Sequence, residues 1–248
     1  MTYLSLSIAA VIVLILAWFE RRSGGRNRDW VINLQAWLVN VAAGVTIYAA
    51  FASWQGPSLL RGEELPLWLG IPLFILVQDL GEFLFHRAQH SIPLLWSMHS
   101  LHHSDPEMSA LTTTRHFWGD RLFKIVTVWS LAAMVIAPTA EALAAYFVIS
   151  FWNYVAHANL PINFGRWSWV INSPAYHRRH HSLLPEHYDS NFAALFPIWD
   201  VLFGSYHQPE GFPPTGLDEQ PRSVRDLLLW PLVQGQPEQH ESSAEVTA

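Results

Sequence analysis

The chain of 248 residues contains no cysteine. Thiolate-ligated iron–sulfur clusters, disulfides and Cys-type zinc sites are thereby excluded, and any metal has to be held by His, Asp or Glu. It is also poor in charge: Asp, Glu, Lys and Arg make up 14% of residues while 51% are hydrophobic, against roughly 25% charged in a typical soluble domain. That is a membrane composition. No His-Glu-x-x-His run with its built-in base is present, which argues against a zinc protease. Neither an internal repeat nor a second domain is evident.

Long apolar runs take the place of charge. Tyr3 to Phe19 is unbroken, at the short end of what spans a bilayer. No Lys or Arg precedes it, and Arg21, Arg22, Arg26 and Arg28 follow, the reverse of a signal peptide, so an uncleaved anchor is expected. Further spans are expected at 31–54 and 67–85, and a membrane hairpin at 122–137 and 140–156, broken by Pro138, whose limbs need not cross fully. Trp18, Trp30, Trp54 and Trp68 sit at the edges of these runs, where an indole favours the headgroup zone. Placing the 20–30 loop in the cytoplasm leaves Arg61 alone, of 14 Lys and Arg, on the far side. The expected fold is therefore all-α: a multi-pass helical membrane protein of about three spans plus a hairpin. A helical, histidine-rich cap, residues 86–121 and 157–207, faces the cytosol. Residues 1–207 form one domain. Residues 208–248, Pro/Gln/Ser-rich with Asp218, Glu219, Glu238, Glu241 and Glu245, are expected as a largely flexible tail, apart from an apolar patch at 224–233.

Nine of the 13 histidines stand in a pattern: His86-x-x-x-His90, His99-x-x-His102-His103, His157, and His177-x-x-His180-His181. Spacings of three and four put imidazoles on one helix face, where they can converge on an ion. A His-rich run can also be a flexible metal-scavenging tract, but Trp, Leu and Phe between these clusters favour folding. For His116, His187, His207 and His240 taken singly, a packed or surface role is the simpler reading. Adjacent imidazoles on a helix diverge by about 100°, too far to chelate one ion comfortably. Each adjacent pair therefore suits two neighbouring ions, and nine neutral ligands shared by two ions leave coordination positions open. Imidazole suits zinc, copper, nickel and iron alike, so ligand type does not choose the metal.

Asp79, Glu82, His86 and His90 follow at three- and four-residue steps along one stripe. Asp79 or Glu82 is a candidate to accept an imidazole N–H and fix its tautomer, as metal-bound histidines usually require. Pairing with Arg87 or another basic residue is the equal alternative. Asn153, one turn before His157, is a candidate for the same role, with a simple hydrogen bond across helices as its alternative.

The runs HRAQHSIPLLWSMHSLHHSDPEMSALTTTR, HANL, SPAYHRRHHS and NFAALFPIWDVLFGSY resemble, in order and spacing, the sterol desaturase and fatty acid hydroxylase superfamily, over about Asp79 to Tyr206. What the resemblance implies is an integral-membrane, non-haem di-iron oxidoreductase. It would hold two Fe2+ ions with O2 as co-substrate and hydroxylate or desaturate a lipid drawn from the bilayer. His86 and His90 match the first histidine box, His99, His102 and His103 the second, His177, His180 and His181 the third, and His157 the additional histidine after the hairpin. One departure is that many members carry Arg-x-His-Pro and an acidic residue after the second box. Arg115 and Asp120 fit, but His116 is out of register and is not counted as a ligand. No flavin or nicotinamide fingerprint is evident, so electrons are expected from a separate protein. Two rivals remain: a zinc-dependent lipid hydrolase, with Glu82, Glu107 or Glu186 as its base, and a non-enzymatic metal-binding or transport protein, which would place ionisable residues mid-span.

Overall fold

The computed structural model describes residues 2–24, 29–51 and 56–233. Trp54, Arg26, Arg28, His240 and the acidic residues at 238, 241 and 245 lie outside them. The apolar runs fold as expected, into helices: α1 Thr2–Arg22, α2 Trp30–Phe51 and α3 Leu67–Ser91. Among the described residues, α3 is the one helix long and apolar enough to cross a membrane, with Trp30–Ala42 a shorter apolar stretch. It continues past the expected end at Phe85 and carries His86 and His90 on its last two turns.

Residues 122–156 fold as a helical hairpin, with an irregular first limb: α5 Trp118–Lys124, a π-helical turn Ile125–Trp129, and α6 Ser130–Val135. That turn packs on α3 where Gly81 leaves no side chain, a Cβ there standing 3.0 Å from Val128 Cγ1. At the apex the chain extends as β2 Ile136–Ala137 and pairs in parallel with β1 Leu60–Arg61, just ahead of α3. Gly62 is obligatory there, because a Cβ would lie 2.5 Å from the Ala137 carbonyl oxygen. After Pro138, Thr139 caps α7 Ala140–Ser150 by accepting from the Ala142 N–H. A turn at Phe151 leads into α8 Trp152–Ala156. Phe74, Ile136 and Ala142 bury the hairpin against α3.

Two buried charges tie the helices to the cap. Glu20, near the end of α1, accepts the main-chain N–H groups of Ala110 and Asn159, each at 2.8 Å. Arg115, fully buried, donates to Asp29 and Asn33 at the start of α2 and to Ser104, and lies 3.8 Å from Asp105. A buried guanidinium is tolerable only when its donors are met in this way.

The expected flexible tail is corrected for residues 208–223, while the apolar patch excepted at 224–233 forms a helix. Pro213 accepts from Arg178, Thr215 bridges to Ser182, and Gly216, at φ +108°, packs against Pro106. After α10 Ile198–Phe203, helix α11 Val224–Val233 buries Leu227 and Trp230 against Ala36, Met98 and Leu101. Composition misled for residues 208–223 because their contacts are largely main-chain, and main-chain groups do not register in residue counts. Trp230 also donates to Ser100 Oγ at 2.9 Å. Trp230→Ala is therefore expected to cost about 3–5 kcal/mol, the range for buried aromatic truncations, read as a lowered unfolding temperature in detergent. A cost within about 0.5 kcal/mol, as for a surface site, would show that α11 does not dock.

Candidate metal centre

Prolines fold the three histidine boxes together. Ile92, extended as a residue before proline must be, forms the corner between α3 and α4 Pro93–His103, whose first position is Pro93. The first box on α3 and the second on α4 are thus turned face to face. Ser173 caps α9 Pro174–His180 through the Tyr176 N–H, again with proline at the first position. Helix α9 carries the third box, and His157 follows the end of α8.

All nine patterned histidines come together, in two groups. His86, His90, His99, His103 and His180 bring one ring nitrogen each to within 4.8 Å of one another, as do His102, His157, His177 and His181. Each H-x-x-H-H segment straddles the two. The second box gives its four-apart pair, His99 and His103, to the five-membered group and His102 to the other. The third box does the reverse, with His177 and His181 in the four-membered group and His180 in the five. Adjacent rings stand nearly perpendicular, at 90° for His102 and His103 and 87° for His180 and His181. That divergence is what helical geometry imposes on neighbours.

Facing Nε2 atoms lie 2.9 to 3.2 Å apart in the pairs His177–His157, His157–His102, His181–His177, His103–His99 and His90–His103. An octahedral ion with metal–nitrogen bonds of 2.0–2.1 Å has ligand–ligand edges of about 3 Å. The opposite ring nitrogens say which atom is bare. Nδ1 of His86 donates to Phe192 O at 2.6 Å, that of His157 to Asn153 O at 2.7 Å, and that of His180 to Ser190 O at 2.9 Å. A carbonyl oxygen only accepts, so these three rings carry hydrogen on Nδ1 and a lone pair on Nε2. For His86 and His180 that Nε2 is buried with no hydrogen-bond partner. Orphaned inward lone pairs fit a Lewis acid. The rings are also held neutral, the ligating form. Burial, then neighbouring imidazoles, hold His86, His102, His103, His177, His180 and His181 well below the ordinary histidine value. Burial brings His99 to about 4 and His157 to about 3. Phe192 and Trp96 wall the five-membered group, with ring centroids 5.1 and 5.0 Å from His90.

The proposed tautomer-fixing carboxylates are corrected. Asp79 accepts instead from the main-chain N–H groups of Leu195 and Phe196 and from the Trp199 indole. Glu82 takes the alternative reading, pairing with the basic Lys124, and accepts from Tyr146. A shared helical stripe with His86 brought neither carboxylate to a ring, because partners reach α3 from opposite elements. Asn153 does serve His157, through its carbonyl, while its side chain bonds Ser150. Asp79 and Asp200 act one step removed. Asp200 accepts from Phe192 N, Ala193 N, Ser205 and Tyr176, so the two carboxylates hold the 190–196 loop whose carbonyls orient His86 and His180.

The carboxylates that reach histidines are Asp189, 3.5 Å from His90 Nδ1, and Asp120, 3.3 Å from His116 and 3.8 Å from His99. Burial pushes Asp120 up, but His116 and His99 outweigh it and hold the carboxyl below its usual range. His116 stacks on His102 at 4.2 Å and, with His99 and Asp120, makes a third convergent group. The Arg115 to Asp120 spacing was the available signal for Asp120. Among the described residues no glutamate enters any of these groups, the hydrolase candidates Glu82, Glu107 and Glu186 included. His187 bonds Ser182, and His207 meets Asn191 through its main chain.

Below pH 6.5 an unfolded chain takes up protons that His99 refuses until about pH 4 and His157 until about pH 3. Acid therefore favours the unfolded state, by about 1.4 kcal/mol per pH unit for each such ring. The metal-free protein is expected to melt at steadily lower temperature from pH 6.5 towards 4. A melting temperature that holds or rises over that interval would refute buried neutral rings.

A model of the family described as fatty acid hydroxylase matches residues 71–205, more than half of the chain. Among similar proteins, alkylglycerol monooxygenase of Xenopus tropicalis is 30% identical over 209 residues, covering 80% of this chain and 45% of that protein. Ornithine lipid hydroxylase OlsE of Rhizobium tropici is 29% identical over 176 residues, 69% of this chain and 53% of that protein. A probable Delta(7)-sterol 5(6)-desaturase of Neurospora crassa is 27% identical over 226 residues, 84% and 61% respectively. The chain thus spans about half the length of the first two of these curated relatives. No solved structure matches the chain at a significant level.

Proposed function

The chain belongs to the fatty acid hydroxylase family, and from that premise we propose that it is an O2-dependent oxidoreductase that hydroxylates or desaturates a membrane lipid at a histidine-held pair of iron ions. The observation that carries the proposal is the sorting of nine imidazoles into a group of five and a group of four, with bare lone pairs turned inward. His86, His90, His99, His103 and His180 hold one ion. His102, His157, His177 and His181 hold the other. Bound iron supplies the activation of O2 and the attack on an unactivated C–H bond, chemistry beyond any side chain here.

The remaining work falls to the protein. Carbonyls of Asn153, Ser190 and Phe192 keep three rings in the ligating tautomer. Phe192 and Trp96 exclude water from one side of the five-membered group. The relatives' names all denote enzymes acting on lipids, which supports a bilayer lipid as substrate. Electrons come from a separate protein.

Membrane placement follows the same proposal. Helix α3, at 25 residues, is about 37 Å long, against about 30 Å of hydrocarbon. It spans and still projects its last turns, with His86 and His90, into the cap. Pairing of the hairpin apex with the strand before α3 supports a hairpin as deep as α3 itself, with α1 and α2 completing a multi-pass bundle and the cap in the cytosol.

Iron analysis should find two ions per chain in the wild-type protein. His102→Ala and His180→Ala, each striking a different group, are each expected to lose one ion and the oxidation activity. Lipid profiling of cells with and without the protein should reveal a product heavier by one oxygen or lighter by two hydrogens. Both variants retaining both ions and full oxidation would overturn the ligand assignment. Bound zinc with lipid cleavage and no O2 uptake would move the chain to a hydrolase.

A further inference from the structure

An apolar groove of about 360 Å³ opens between α1 and the α7–α8 limb of the hairpin. Ile12 of α1, Val148, Ile149 and Val155 of the limb, and Ile171 and Leu195 of the cap supply its walls. The one side-chain N–H among its lining residues, Trp152 Nε1, is already donated to Asn172 O at 2.6 Å. An occupant is offered hydrocarbon contact and no side-chain hydrogen bond, so it has to be hydrocarbon itself.

Positions along the two walls give the groove's direction. Glu20 binds the Asn159 N–H, two residues past His157, which pins α1 to the level of the histidines. Ile12 lies eight residues up that helix, about 12 Å away at the helical rise. Val148 lies in the last turn of α7, on the far side of the Phe151 turn from α8 and His157. Ile12 and Val148 line the same groove and mark its outer rim. Val155 and Leu195 are at the inner end. Val155 is two residues from His157, and Leu195 belongs to the loop whose carbonyls orient His86 and His180. The outer rim is open, Val148 being 64% exposed.

We infer that this groove holds one alkyl chain of a bilayer lipid, with the headgroup towards the cap and the chain end towards Ile12 and Val148. The carbons nearest the headgroup are then the ones presented to the histidines. This rests on the lipid oxidation proposed above and adds where the substrate lies and which end reacts. The groove runs along α1 and the hairpin limb, the direction in which lipid chains already lie, so a lipid enters sideways without turning over. Its apolar walls supply the binding energy away from the reacting carbon.

Photo-crosslinking of the full chain in nanodiscs tests the inference. One probe is a phosphatidylcholine with a diazirine at the terminal carbon of a chain. The other carries the diazirine beside the ester carbonyl. The first is expected to mark Ile12, Val148 and Ile149, and the second Val155 and Ile171, each several-fold above Leu14, a 70% exposed neighbour on α1. Ile149→Trp, which fills the groove, should abolish that excess and leave Leu14 labelling unchanged. Groove labelling no higher than Leu14 would overturn the site, and the reverse pattern of marks would overturn the orientation. Crosslinking needs neither metal nor O2. A marked groove with no oxidised lipid would sink the proposed function alone, whereas oxidised lipid with an unmarked groove would sink the groove alone.

Discussion

A buried neutral imidazole has one donor and one acceptor, and the position of its hydrogen decides what it can do. In this cap the hydrogen of His86, His157 and His180 is turned outward onto a main-chain oxygen, and the lone pair is turned inward. Leaving such a lone pair buried and unmet costs about 1–3 kcal/mol, and two of them, on His86 and His180, have no partner in the protein. The cap must therefore be rigid enough to hold rings in a state that they would not choose alone. That requirement explains the carboxylates. Asp79 and Asp200 lock the 190–196 loop from two sides, and Asn191 accepts a left-handed φ of 60° so that carbonyls on either side of it point at rings. Asparagine is among the few residues that tolerate this conformation cheaply.

Rigidity of that loop reaches the long helices through a short chain of contacts. Asp79 stands on α3, two turns before His86, so the helix that presents the first box also fixes the loop that orients it. Glu20 on α1 and Arg115 after the second box do the same for the other side of the cap, each by meeting several polar groups at once. A charge buried with all its partners is costly to break by removing one of them. The cap and the long helices thus share one set of constraints and cannot move independently without exposing unpaired charge.

What could be read in the sequence was what helical periodicity carries. The nine histidines, the convergence of those within a box, and the suitability of adjacent pairs for two ions follow from spacings of three and four and from the divergence of adjacent residues, which are local properties; the joining of the boxes rested on the family resemblance. Prolines at 66, 93 and 174 and the break at Pro138 mark helix boundaries for equally local reasons. The orienting groups were hidden because they are carbonyls, and a carbonyl looks the same whether it belongs to Ser190, Phe192 or Asn153. Stripe logic failed for Asp79 and Glu82 because it ranks neighbours on one helix, while their partners come from residues 195–199 and from the hairpin. The segment 208–223 was hidden for a related reason: Pro213, Thr215 and Gly216 dock it largely through main-chain groups, whereas the apolar patch at 224–233 stood out in the sequence.

The exchange of roles between the second and third boxes follows from the same geometry. An H-x-x-H-H segment has a pair four apart that shares a face and a single residue that points aside. Two such helices whose rings face each other supply three rings to each group when one contributes its pair where the other contributes its single. That leaves each group one further element to find: His86 and His90 from α3 for the one, His157 from the hairpin for the other. The asymmetry of five against four is thus set by chain topology, since α3 ends in a full helical turn that can offer two rings, whereas His157 lies past the end of α8 and can offer one. The four-membered group is consequently the one built on the hairpin limb, and it is beside that limb that the wall of the cap is apolar.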